Sequence, residues 1–222
     1  MYFVFDVDET LILHSGGVPE ADLLLEYFKD DPRNIDDMLS MFDEIHEQGG
    51  KVILNSRGVG PDIEALLQAA IQMSRGPDAI WTMFVDAIYA GAHEDEISNP
   101  FPEDEDAETV DVVKSRRAIE ALRPLMSPET FSTYFDPITR TIKDPTVMWA
   151  VRKVMVLNNL GVAKEVVYFF DDTAVNVELA KSCGYMNSVC VRPYSDDEPD
   201  GQTLDVVRNG ILVKSKLPST TP

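Results

Sequence analysis

The chain has 222 residues and a mass of 24.8 kDa, with 44% hydrophobic and 26% charged residues. That is the size and balance of one globular domain, or one domain with a modest insertion, and it excludes collagen, coiled coil and wholesale disorder. The 39 acidic residues against 19 basic give a net charge of −20 and a pI near 4.3, a surface that repels phosphate backbones and anionic lipid, so neither nucleic acid nor a membrane is an expected partner.

In chain order, Tyr2 to Phe5 is a short apolar run of β-formers and predicts the first strand, ending at Asp6. It has no basic segment ahead of it and no small-residue cleavage site after it, so a classical signal peptide is not expected. Residues 14–19 read as a turn, followed by a helix from Glu20 or Ala21 to Lys29 that the Asp30-Asp31-Pro32 breaker closes. Asn34 can cap the next helix, where Ile35, Met38, Leu39, Phe42 and Ile45 recur at helical spacing. Gly49-Gly50 ends that helix, and Lys51 to Leu54 predicts the second strand. Pro61 suits the first turn of a third amphipathic helix carrying Ile63, Leu66, Leu67, Ala70 and Ile71.

Residues 74–130 fit an alternating pattern least well and read as an insertion or small helical cap. Within them Ile80 to Tyr89 could be helix or strand, Glu94 to Asp111 is an acidic loop read as solvated, and Val112 to Leu125 looks helical. Phe131 to Phe135 is a candidate strand, and Pro145 begins a helix with Val147, Met148, Val151, Val154 and Met155 on one side. Val166 to Phe170 is the clearest strand of the chain. Ala174 to Ser182 is a helix ending at Gly184, and Asn187 to Val191 is a further strand. The tail from Lys214 is expected to fray. Alternating strands and helices imply right-handed crossovers, hence an α/β, Rossmann-like three-layer sandwich around a parallel sheet. No run reaches the ~18 apolar residues of a membrane span, and Cys183 and Cys190 are too few for a disulfide framework. Both are read as buried reduced thiols, and a cytoplasmic setting is the expectation, with non-classical export left open.

Ligands bind at the carboxyl ends of parallel strands, so the chemistry should sit just past each apolar run. There lie Asp6, Asp8 and Thr10 after the first strand, Asn55, Ser56 and Arg57 after the second, and Asp171 and Asp172 after the clearest one. Lys143 heads a helix between the last two. Crowded carboxylates repel unless a cation sits among them. With neither His nor Cys nearby, an all-oxygen set suits a hard ion, Mg²⁺ above all. One carboxylate could then attack phosphorus while another exchanges protons with the leaving oxygen and the water. The Ser56 hydroxyl and the Lys143 ammonium could hold the phosphoryl oxygens. Milder readings exist for several of these residues: Ser56 could be a helix cap, Thr10 could fix a local turn, and Asn176 could be an exposed helix residue. No role is assigned to His14, His46 or His93.

Phe5-Asp6-Val7-Asp8-Glu9-Thr10-Leu11 resembles the first motif of the haloacid dehalogenase (HAD) superfamily phosphatases. Ser56 after an apolar strand resembles the second, Lys143-Asp144-Pro145 the third, and Phe169-Phe170-Asp171-Asp172 with Asn176 the fourth. The four occur in the family's order and cover residues 1–73 and about 131–192, the sheet core. The resemblance implies Asp6 as nucleophile and Asp8 as general acid/base, the latter's main-chain carbonyl also binding Mg²⁺. It implies Ser56, Arg57 and Lys143 as phosphate-binding residues, and Asp6, Asp8, Asp171 and Asp172 as the metal set with Thr10 and Asn176 in support. It leaves open which of Asp171 and Asp172 ligates directly. The third motif departs from the family in having Asp144 after the lysine, and Lys153 is the alternative lysine, although mid-helix. Haloacid dehalogenases themselves lack the second aspartate, so the resemblance implies a Mg²⁺-dependent phosphatase acting through an aspartyl-phosphate. Its substrate would be a phosphoprotein of phosphotyrosine type or a small phosphorylated metabolite. A non-catalytic binding module or a phosphotransferase on the same scaffold is the rival reading.

Overall fold

A computed structural model describes residues 1–13, 20–90, 116–144, 146–194 and 202–208. The turn at 14–19, the acidic stretch Glu94 to Asp111, His14, His93, Pro145 and the tail from Lys214 lie outside the described residues. Five strands, β1 (Tyr2–Phe5), β2 (Lys51–Asn55), β3 (Ala87–Tyr89), β4 (Val167–Asp171) and β5 (Ser188–Cys190), form one sheet in the order β3-β2-β1-β4-β5. Every pairing is parallel. The sheet is the α/β arrangement expected, with β1 at its centre.

The strands are short and apolar because both of their faces are covered. Alternate residues of β1 divide between two cores: Phe3 and Phe5 join Val52, Leu54 and Phe170 on one face, while Val4 joins Ile53, Val167 and Phe169 on the other. The first face is closed by α2 (Pro32–Glu47) and α3 (Gly60–Arg75), which follow α1 (Leu24–Tyr27). The second is closed by α4 (its described part 116–122), α5 (Pro128–Tyr134), α6 (Val147–Asn159) and α7 (Ala174–Ser182). A short α8 (Gln202–Asp205) packs near α2. Aromatic rings tie the first core together: Phe5 stacks on Phe170 at 5.0 Å and meets Phe42 at 5.9 Å between centroids. No helix among the described residues is long and apolar enough to cross a membrane.

Several local expectations need correction. Asp31, not Asn34, caps α2: its carboxylate accepts from the Arg33 backbone N–H at 2.9 Å, while the Asn34 amide donates to the Phe28 carbonyl. Phe131 to Phe135 is not a strand. Ser127 caps a helix there by accepting from the Thr130 N–H at 3.1 Å, and only Phe135, just past α5, makes a bridge, to Ile142. Within 74–130, Ile80 to Tyr89 resolves into a 3₁₀ turn at Trp81–Met83 and then β3, so this part of the stretch belongs to the sheet. Cys183 is buried as expected, whereas Cys190 is exposed at the end of β5. Gly184 behaves as read: at φ +92° it lets its own N–H and that of Tyr185 return to the Lys181 and Ala180 carbonyls.

Candidate functional site

The register of β1 on β4 sets Phe5 opposite Phe170, and the Asp6 N–H continues the ladder by donating to the Phe170 carbonyl at 2.9 Å. Asp6, the first residue past β1, therefore lies beside Asp171, the last residue of β4, at the carboxyl edge of the sheet. Carboxylate oxygens of Asp6, Asp171 and Asp172 all come within 4.8 Å of one another. Asp6 and Asp171 are buried and Asp172 is half-buried.

The cation among them is Lys153. Its Nζ lies 2.7 Å from Asp6 Oδ2 and 2.5 Å from Asp171 Oδ2, and the residue is 2% exposed. Lys143 is not part of this group. It is exposed in the turn before α6, and its ammonium donates to the Ser132 carbonyl. The lysine that reaches these carboxylates is thus Lys153, in the second turn of α6, and the reason is topological. A helix that precedes β4 runs back from the carboxyl edge to the strand's amino end. A lysine in its second turn can therefore still reach that edge with a four-carbon stem. The sequence carried a signal for this: Lys153 interrupts a stripe of Val147, Ala150, Val151, Val154 and Leu157, all buried. A lysine in such a stripe needs buried carboxylates to face.

The remaining bonds hold each carboxylate in place. Asp171 Oδ1 accepts from the Thr173 N–H at 2.9 Å and from Asn176 Nδ2 at 2.8 Å, while its Oδ2 takes Lys153. Asn176 is buried and so supports the site instead of facing solvent; its Oδ1 has no hydrogen-bond partner among the described residues. Asp6 Oδ1 accepts from the Val7 N–H at 2.9 Å. The Asp172 carboxylate accepts a long bond from Thr173 Oγ1, at 3.5 Å, and is the more exposed of the acidic pair. Asn55, at the end of β2, donates to the Lys153 main-chain carbonyl at 3.1 Å and ties α6 to the sheet at the residue that carries the ammonium.

Asp8 stands two residues beyond Asp6, half-buried, in a tight loop that bridges back to Ile12. Its carboxylate is not one of the three in the close group. Thr10 is buried, its carbonyl accepting from Thr203 Oγ1 at 2.8 Å while its own hydroxyl has no partner among the described residues. Ser56 is buried just past β2 and its Oγ accepts from the Gly58 N–H at 3.0 Å, leaving the hydroxyl proton to donate. Arg57 is exposed and lies over the Trp149 ring.

Three carboxylates against one ammonium leave an excess of negative charge in a buried place. Burial pushes the Asp6 carboxyl up, and the Asp171 charge adds to it; the Lys153 ammonium only partly opposes them, so it stands at about 7. Burial likewise raises Asp172 to about 6, with Asp171 and Glu9 adding to the shift. For Lys153 burial acts downward, but the two carboxylates outweigh it and its pKa is raised. A hard divalent cation fits this donor set: all the donors are oxygens, and the local charge is under-compensated. Comparison with protein-family models, with curated proteins and with solved structures finds no match.

Proposed function

We propose that the protein is a Mg²⁺-dependent phosphomonoesterase that works through an aspartyl-phosphate on Asp6. The observation that carries this reading is the Asp6–Lys153–Asp171 chain, with Asp172 within 4.8 Å, at the carboxyl edge of a parallel sheet. Asp6, Asp171 and Asp172 would hold the ion, which supplies charge neutralisation for a phosphoryl group and keeps the Asp6 carboxyl ionised.

A carboxylate oxygen of Asp6 attacks phosphorus, and the bond from phosphorus to the leaving oxygen breaks as Asp8 donates its proton to that oxygen. Lys153, bound to the other face of Asp6, spreads the charge that builds on the phosphoryl oxygens. Ser56 donates its hydroxyl proton to one of them, its lone pair being occupied by the Gly58 N–H. Asp8, now a carboxylate, takes a proton from water as the water's oxygen attacks phosphorus. Inorganic phosphate leaves and free Asp6 returns. The fixed positions of Asp6, Lys153 and Asp171 cost no reorganisation during the reaction, because Val7 already holds Asp6, Asn55 holds Lys153, and Asn176 and Thr173 hold Asp171.

Hydrolysis of an aryl phosphate tests the reading. Turnover is expected with Mg²⁺, loss of turnover with EDTA, and loss of turnover in Asp6→Asn at any Mg²⁺ concentration. Full activity in Asp6→Asn would remove the nucleophile and with it the mechanism.

A further inference from the structure

Two guanidinium groups share one indole beside the site. Arg57 Cζ lies 5.0 Å from the centre of the Trp149 ring and Arg152 Cζ lies 4.5 Å from it. In a chain of net charge −20, two cations converging on one ring call for an explanation. Their place in the fold gives one. Arg57 directly follows Ser56 at the carboxyl end of β2. Trp149 precedes Lys153 by four residues on α6, so it shares the lysine's face of the helix and stands one turn, about 6 Å, nearer the rim.

Among the described residues no carboxylate pairs with Arg57, although Asp31, Asp37 and Asp43 all have arginine partners. Arg152 is half-buried, and burial lowers its pKa to about 10, which leaves it cationic at neutral pH. The ring thus holds the Arg57 guanidinium at the rim without neutralising its charge.

We propose that Arg57, held on the face of Trp149, is a second anion-binding group, and that the preferred substrate is a small phosphomonoester bearing a carboxylate a few bonds from phosphorus. This inference rests on the phosphatase reading and narrows it, favouring a doubly anionic metabolite over a phosphoprotein. A planar guanidinium binds a carboxylate through two parallel N–H bonds, a match that an ammonium does not make. A carboxylate is favoured over a second phosphate because the strongly acidic surface penalises polyanions. Trp149 is a positioning residue: it fixes the planar group and touches no substrate atom.

Calorimetric titration in Mg²⁺ buffer with non-hydrolysable phosphonates separates the two levels of the argument. Methylphosphonate reports the phosphoryl site alone; phosphonoacetate and phosphonopropionate add a carboxylate. The better of the two carboxylate ligands is expected to bind about ten- to a hundredfold more tightly than methylphosphonate. Arg57→Gln is expected to bring that ratio near one, and Arg57→Lys to restore only part of it. Trp149→Leu should lower the ratio severalfold, with Trp149→Phe recovering most of the loss. Methylphosphonate binding with no preference for a carboxylate overturns this inference and leaves the phosphatase reading standing. A preference that survives Arg57→Gln also overturns it, as does tighter binding of phenylphosphonate with no dependence on Arg57. Failure of every phosphonate to bind the wild-type chain overturns both.

Discussion

Replacing Lys153 by methionine is the sharpest perturbation of this fold. The side chain is almost the same length and remains compatible with the apolar stripe of α6, so the packing of Val151, Val154 and Leu157 is preserved. What is lost is the charge between Asp6 and Asp171, at 2.7 and 2.5 Å, in a place where Lys153 is 2% exposed. Removing one partner of a buried ion pair costs about 3–5 kcal/mol, because the charge left behind is neither solvated nor paired. In a chain of this length each kcal/mol moves the melting temperature by about 2–4 °C, so a fall of roughly 6–20 °C is expected in metal-free buffer. Turnover on an aryl phosphate should fall by about a hundred- to a thousandfold, the cost of losing one preorganised charge at a phosphoryl site. Lys143→Met serves as the control. That side chain is exposed and bound to one carbonyl, so its loss should cost less than about 0.5 kcal/mol. Equal losses for the two variants, or a loss below about 1 kcal/mol at Lys153, would refute the assignment of Lys153 as the buried counter-charge.

Three further outcomes follow from other parts of the molecule. Mg²⁺ at a hundred times its dissociation constant should stabilise the wild-type chain by about 2.7 kcal/mol in thermal unfolding, and Asp172→Asn should remove most of that gain; an undiminished gain would exclude Asp172 from the ion. At the opposite edge of the sheet Asp86 accepts from the Val52 N–H at 2.8 Å, from Lys51 Nζ at 2.6 Å and from His46 Nε2 at 3.0 Å. Burial raises its pKa, but these bonds outweigh it and hold the carboxyl below the usual carboxylate range. Its contribution is therefore complete above about pH 4 and is lost as pH falls through the lowered folded value. Asp86→Ala should cost about 1–3 kcal/mol at pH 7 in urea unfolding and progressively less in acid; a cost independent of pH would be evidence against a charged contact. Gly50→Ala would bring a new Cβ to 2.7 Å from Ile45 Cγ2 and 2.9 Å from the Ile45 carbonyl, so a destabilisation of about 1–3 kcal/mol is expected, and wild-type stability would show that the α2–β2 turn yields to the extra carbon.

Much of the frame could be read from the sequence because buried parallel strands leave a plain mark. β1, β2, β4 and β5 are short apolar runs, and the helices between them bear amphipathic stripes and end at glycines. Asp6, Asp171 and Asp172 were legible for the same reason: once the strands are placed, their carboxyl ends are fixed. β3 was harder. It is three residues long, and what makes Ala87–Tyr89 a strand is the edge that β2 offers, a partner some thirty residues back in the chain. Phe131 to Phe135 misleads because aromatic and β-branched residues favour strands, yet Ser127 and Pro128 start a helix whose Phe131 fills the second core. The lysine is the instructive case. The apolar stripe that Lys153 interrupts is the one local hint of its burial, which becomes favourable only when carboxylates from two distant strands arrive opposite it. Asn55, whose bond to the Lys153 carbonyl spans 98 positions, is invisible to local reading for the same reason.

That the cluster draws on both Asp6 and Asp172 has a consequence for biosynthesis. A ribosome adding about 5–20 residues per second releases β1 and β2 on the order of ten seconds before β4. During that interval Asp6 has neither its carboxylate neighbours nor Lys153, and no N-terminal fragment ending before Asp172 contains the three carboxylates that come together in the whole chain. The cluster is thus incomplete until nearly all of the sheet has been synthesised, and a prematurely terminated product lacks it altogether.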